Sequence, residues 1–194
     1  MNGSLPKAYK LGHQDFYGQD FLVSPDVLIP RPETEGIIDM VLSLAGVPYL
    51  PGVKVSNSVL PAQPKILDVG TGSGCIAITL KNKLPQAAVM ACDVSEKALR
   101  VARGNASRLK VEVDFVQSDL TRNTGVDFDV IVANLPYVDK NWDWLDLESL
   151  SYEPDLALYA DDSGLALIKK LIEEIANSGA YNYADKYLVL EADP

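Results

Sequence analysis

Histidine is almost missing from this 194-residue chain. His13 leaves one place for an imidazole base, and that place lies in a short N-terminal hairpin, where a surface role fits better than proton transfer. Cysteine is scarce too: Cys75 and Cys92 each sit inside an apolar segment, which excludes a disulfide framework and reads as two buried free thiols in a reducing, cytoplasmic setting. No group of His, Cys, Asp and Glu shows metal-ligand spacing, so no metal is expected. Positive charge is in short supply, with 17 Lys and Arg against 27 Asp and Glu and a net charge of -10. With no basic cluster to offset it, that field repels phosphate backbones, and no direct nucleic-acid partner is expected. No uncharged run approaches a membrane span, and MNGSLPKAYKLGHQDFYG lacks the apolar core of a signal peptide. A soluble protein is the expectation.

What is present is 47% hydrophobic residues, enough for one sizeable core. GHQDFYGQDFLVS, Gly12 to Ser24, reads as a hairpin turning at Tyr17-Gly18, an appendage to the main body. Glu33 to Val47 carries Ile37, Ile38, Val41, Leu42 and Leu44 at helical spacing, with Pro32 suited to the first turn. These segments form a region 1–50, and PYLPGVKVSNSVLPAQP is a loop, with the linker at 51–64. From 65 to 194 short apolar strands alternate with helical segments: KILDVG, CIAITLKNKL, AAVMACDV, SEKALRVARGNASRL, VEVDFVQSD, DFDVIVANLPY, SGLALIKKLIEEIANSG and KYLVLEADP. That alternation predicts α/β architecture: an open, mostly parallel twisted sheet with helices on both faces. In the last helix Leu165, Ile168, Leu171, Ile172 and Ile175 share a face, bounded by Gly179.

DVGTGSG, Asp68 to Gly74, follows the first strand of that series and opens a helix. Glycine lets the backbone turn tightly and a ligand approach the main chain without meeting a Cβ. Asp93 ends the next strand, where a carboxylate can accept from ribose hydroxyls or only cap the helix starting near Ser95. Asp119, ending the third strand, is placed for an adenine amino group or is a solvated loop carboxylate. The spelling GxGxG, not GxGxxG, favours S-adenosylmethionine over a dinucleotide.

NLPY, Asn134 to Tyr137, ends the fourth strand, on the side where open parallel sheets hold their ligands. An asparagine offers an acceptor oxygen, and Pro136 stiffens the backbone so that a neighbouring carbonyl can be a second acceptor. Two acceptors on one NH2 group make its delocalised lone pair available to a sulfonium methyl, and Tyr137 can stack on the planar group. Positioning then supplies much of the rate.

With these segments, DVGTGSGCIAI, ANLPYV, YEPDLALYADDSGLALIKKLI and above all LIPRPETE resemble the release factor glutamine N5-methyltransferases, the HemK/PrmC family, from about Phe16 onward. The resemblance implies a Rossmann-like S-adenosylmethionine-dependent methyltransferase fold and methylation of the glutamine in the GGQ loop of peptide chain release factors. It implies that the Asp68 loop, through Gly70, Thr71, Gly72, Ser73 and Gly74, meets the methionine part of the cofactor, Asp93 the ribose, and Asp119 with Leu120 the adenine side. Asn134 also faces the cofactor. By the same resemblance the substrate glutamine is held by Asn134, Leu135, Pro136 and Tyr137, with the Asn134 side chain and Leu135 carbonyl as acceptors. In LIPRPETE itself a plain helix start accounts for Pro32, Glu33 and Glu35 and leaves Arg31 and Thr34, which are expected to close the substrate side. Glu153 of YEPD is a candidate support for the site wall, and Trp142 and Trp144 are candidates to line a cofactor or substrate groove, though a loop anchored by tryptophans is the commoner case.

Three departures stand out. Leu135 replaces the first proline of the family's NPPY, which removes a φ restraint. By comparison with the family, the helical N-terminal domain is expected to be absent or reduced to Met1 to Leu11 and the terminal antiparallel pair to be lacking, through truncation or natural shortening, which would leave an edge open to association. The rival functions are an adenine N6-methyltransferase acting on RNA or DNA, to which the same two-acceptor trap applies, and a catalytically silent methyltransferase-like binding module.

Overall fold

The computed structural model describes residues 5–125, 127–139, 142, 150–178 and 186–192. Trp144 and Gly179 lie outside them. The chain opens with a five-residue helix, α1 (Lys7–Leu11), which the sequence reading did not foresee. It is closed by Gly12 in the left-handed region and anchored by Tyr9, whose hydroxyl donates to the Val27 carbonyl at 2.6 Å.

The hairpin forms as expected from β1 (His13–Phe16) and β2 (Gln19–Leu22). Tyr17 and Gly18 both take positive φ, 52° and 69°, the turn that matches strand twist. The hairpin is not an appendage, however. Phe16 and Phe21 are fully buried in the largest core cluster, meeting edge to face at 6.1 Å. Alternation puts both rings on one face of the ribbon, and their burial docks it onto the body. His13 stays outside, paired with Asp20 across the ribbon at 2.6 Å.

Helix α2 (Glu35–Leu44) buries Ile37, Ile38, Val41 and Leu42, and begins two residues after the expected Glu33 because residues 31–34 are held in turns. No helix or strand interrupts 45–64, as the Pro, Ser and Asn content implied.

Then come β3 (Lys65–Val69), α3 (Cys75–Lys83), β4 (Ala88–Asp93), α4 (Glu96–Leu109), β5 (Asp114–Gln117), β6 (Val130–Ala133), α5 (Asp155–Leu158), α6 (Ala166–Asn177) and β7 (Tyr187–Leu190). The five strands from β3 to β7 pair in parallel in the order β5-β4-β3-β6-β7. Period-two alternation gives each face its own core. Ile66, Val89, Val130, Val132 and Val189 pack with α2 and α3, while Leu67, Cys92, Ile131 and Ala133 pack with Ile168 and Leu171 of α6. Both faces are covered, as parallel sheets require. Leu165 and Ile172 of the expected apolar face are exposed instead, because the contact stripe of α6 is narrower and centres on Ile168 and Leu171.

Candidate active site

The order β4-β3-β6 puts the topological switch between β3 and β6, and a cavity of about 380 Å³ opens there at the carboxyl ends of the strands. That volume suits one small molecule, the usual range being roughly 300–1,000 Å³. Its walls bring together segments scattered through the chain: Gly70 to Ser73, Asp93, Asp119 with Leu120, Asn134 to Pro136, and Arg31 with Thr34.

The glycine loop is shaped by its own hydrogen bonds. Gly70, Gly72 and Gly74 have φ of 73°, 56° and 82°, and the Gly70 and Thr71 N–H groups both donate to the Cys92 carbonyl. The Gly72 N–H donates to Asp93 Oδ2 at 2.9 Å, and that of Gly74 to the Thr71 carbonyl at 2.8 Å. These amides are already committed within the chain. The loop therefore offers a close-approach surface more than a phosphate cradle.

Asp68 braces the loop from below. It is wholly buried, and its Oδ2 accepts from the Thr71 hydroxyl at 2.6 Å and the Ala77 N–H at 3.2 Å, while among the described residues Oδ1 has no partner. Burial raises its pKa to about 7, and the two hydrogen bonds only partly offset that. Asp93 ends β4 with each oxygen accepting one backbone N–H, from Gly72 and from Ser95 at 2.8 Å. A carboxylate has about four lone-pair positions, so both oxygens keep capacity toward the cavity. Burial raises this pKa as well, against the Ser95 and Gly72 N–H bonds.

At the end of β6 the Asn134 side chain donates from Nδ2 to the Thr34 hydroxyl at 2.9 Å. Next to it the Arg31 guanidinium pairs with Glu153, whose other oxygen accepts the Ile29 N–H at 3.0 Å. LIPRPETE, NLPY and YEPD are thus one wall.

A family model, the methyltransferase small domain, matches residues 52–147. Release factor glutamine methyltransferase of Koribacter versatilis is 43% identical over 175 residues, which are 88% of this chain and 57% of that protein. The protein of the same name from Flavobacterium psychrophilum is 39% identical over 186 residues, 94% of this chain and 61% of that protein. Over most of its length the chain is similar to the release factor glutamine methyltransferases. It spans about three fifths of the length of these relatives. Among solved structures, the hMettl16 catalytic domain matches with a TM-score of 0.58 at 16% identity, over 88% of this chain and 70% of that one. Ribosomal protein L11 methylase from Lactobacillus delbrueckii subsp. bulgaricus matches at 0.52 and 19%, over 87% and 64%. Both share the Rossmann-like fold.

Against the family's pattern, the structure sorts the expected site residues. Gly70, Thr71, Gly72, Ser73, Asp93, Asp119, Leu120, Asn134, Leu135, Pro136 and Arg31 all line the cavity. Three do not. Asp68 lies beneath the loop, as described. Gly74 is a packing glycine: a Cβ there would meet Ile78 Cδ1 at 3.0 Å and the Ala102 Cβ at 3.1 Å, so its absence lets α3 approach α4. Tyr137 is half-buried outside the cavity wall, its hydroxyl donating to Glu191 at 3.5 Å. Asp119 meets the cavity, yet its carboxylate is engaged by Lys170 at 2.9 Å and Arg122 at 3.2 Å. The side chain of Leu135 packs into the core beside Leu67 and Val69, close above Gly70, so packing restrains the turn where the family has proline.

Cys75 and Cys92 are buried free thiols, both pushed up to about 12 by burial, and the Cys92 thiol donates to the Leu120 carbonyl at 3.3 Å. Leu120 itself has an unusual φ of 50°.

Asn105 escaped the sequence reading. Asn105, wholly buried in α4, donates to the carbonyls of Ser73 and Leu22 and accepts the Leu22 N–H, tying the hairpin to the glycine loop. An asparagine amid helix formers in RGNASRL was the available signal. Thr34, expected with Arg31 to close the substrate side, lines the cavity, but its partner Asn134 lies 100 positions away and no local signal names it.

Proposed function

We propose that this chain uses S-adenosylmethionine to methylate the N5 amide of the glutamine in the GGQ loop of a peptide chain release factor, in the cytoplasm. The activity named for the relatives matched over 88% and 94% of the chain supports this reading. The observation that carries it is the placement of Asn134 on the same cavity as the glycine loop and Asp93. Among the described residues no helix is long and apolar enough to cross a membrane.

The cavity fits the cofactor by its donor set. The loop presents glycine backbone with its N–H groups spent, which suits a ligand without phosphate, and Asp93 keeps acceptor capacity for the ribose hydroxyls. Asp68 supports the cofactor indirectly through Thr71. When bound, the cofactor supplies an electrophilic methyl group. The chain's own residues do the rest by holding and orienting. The Asn134 carboxamide accepts one N–H of the substrate amide and the Leu135 carbonyl the other, which draws the nitrogen lone pair out of conjugation. Pro136 keeps that backbone in place, Arg31 lines the entry, and Tyr137 stacks on the substrate once its ring turns from Glu191. No strong base is needed, because the amide nitrogen sheds its proton readily once alkylated. Exclusion of competing water and fixed alignment give the rate.

The test is direct: incubation with labelled cofactor and a release factor, followed by peptide mass spectrometry. Label on the GGQ glutamine is the expected result. Label on added RNA or DNA adenine, or no transfer with cofactor bound, would contradict it.

A further inference from the structure

Asn134 meets the cavity with an amide whose orientation is set from outside its own segment. Rotation of a carboxamide by half a turn exchanges its oxygen with its NH2, and asparagine's terminal torsion is soft enough to permit that. Here Nδ2 is held at 2.9 Å by the Thr34 hydroxyl, and among the described residues no donor meets Oδ1. Thr34 is only 3% exposed, so water competes poorly for that contact.

The hydroxyl is itself fixed. Thr34 sits in a turn where its N–H donates to the Arg31 carbonyl at 3.2 Å and its carbonyl accepts from Ile37 at 3.1 Å. Pro30 and Pro32 restrict φ on either side of Arg31. Glu153, 3% exposed at its side chain, holds this segment by the Ile29 N–H and the Arg31 guanidinium. At the start of a helix a threonine normally uses its oxygen to cap a backbone N–H. Thr34 makes no such cap hydrogen bond, so its oxygen is directed to Asn134 instead.

We propose that Thr34 is a positioning residue: its hydroxyl anchors the Asn134 carboxamide at Nδ2, leaving Oδ1 for the substrate amide. The proposal rests on the glutamine-methylating reading above. A carboxamide already held in place meets the substrate amide without first losing its torsional freedom, so the contact favours productive binding.

The test uses the full chain, labelled with ¹⁵N, and the variants Thr34→Val, Thr34→Ser and Asn134→Ala. Disappearance of one side-chain NH2 signal in Asn134→Ala assigns Asn134. In the parent and in Thr34→Ser that NH2 pair exchanges slowly with solvent; in the near-isosteric Thr34→Val its exchange rises about tenfold or more, the loss of one net hydrogen bond of roughly 1–1.5 kcal/mol. With release factor as substrate, Thr34→Val lowers kcat about tenfold to a hundredfold, the scale of a misplaced reacting group, with cofactor affinity unchanged and Thr34→Ser close to the parent. Unchanged Asn134 exchange in Thr34→Val, or faster exchange with undiminished kcat, would overturn the proposal. So would a Thr34→Ser variant as impaired as Thr34→Val, which would assign the effect to the lost methyl. Failure of the parent to methylate a release factor overturns the glutamine reading itself and removes the purpose proposed for the contact, whereas the exchange data separately show whether the contact exists.

Discussion

Glu153 and Ile29, 124 positions apart in sequence, share a hydrogen bond of 3.0 Å in which the Ile29 N–H donates to Oε2. Through it, and through the Arg31 pair on the other oxygen, the segment before α2 is fastened over the cavity. Glu153→Ala leaves a buried N–H without an acceptor and is expected to cost about 1–3 kcal/mol. Glu153→Gln keeps an acceptor for Ile29 and should cost visibly less. Urea denaturation of the two variants checks the order; equal losses would mean that the charge, not the Ile29 contact, holds the segment.

Asp68 gives the fold a pH dependence. Its pKa is raised from 3.8 to about 7, so between those values the folded chain keeps a proton that the unfolded chain has released. Stability therefore falls as pH rises through that window, by up to about 1.4 kcal/mol per unit, and levels off above it. Asp93 shifts in the same direction, so its contribution adds. Asp68→Asn has no such titration. The difference in unfolding free energy between about pH 5 and about pH 8 should shrink in that variant, and an unchanged difference would contradict the assignment.

Gly164 supports the substrate side from behind. It has φ of 84°, and a Cβ there would lie 1.9 Å from the Tyr137 carbonyl oxygen, a backbone atom that cannot swing aside. Gly164→Ala should lose at least about 1–3 kcal/mol and displace the end of NLPY, so that activity falls more than cofactor affinity. Gly52→Ala, with φ of 83° and nothing within 4 Å, carries only the backbone penalty of about 1 kcal/mol. Thermal unfolding and cofactor titration compare the pair; equal losses would remove the steric argument.

The sheet and its ligand edge were legible because they rest on local signals: short continuous apolar runs such as VIVA, helical spacing in α2 and α4, and glycines at left-handed positions. The site elements at strand ends, Asp93, Leu120 and Asn134, followed from the parallel topology. Contacts between distant segments were not legible. Phe16 and Phe21 read as an appendage because alternation in a hairpin says which face is apolar but not what it meets. Gly74 looked like a ligand glycine because φ and ligand approach impose the same residue as helix packing does. Asn105 acts through partners far away in sequence, and the contact of Thr34 with Asn134 spans 100 positions, which no local pattern in LIPRPETE announces. Ile172 carried the right period, yet α6 meets the sheet along a narrower stripe than its apolar face offers.

The central claim is that the Asn134 amide grips the substrate and leaves the cofactor to the glycine loop and Asp93. The most direct measurement pairs two readouts on Asn134→Ala: calorimetric affinity for S-adenosylmethionine, and methyl transfer to the release factor glutamine by mass spectrometry. The account predicts affinity within about twofold of the parent and transfer reduced by a factor of about a hundred or more, the scale of one lost polar contact to the reacting group. Transfer at the parent's rate, or collapse of cofactor binding together with the fold, would contradict it.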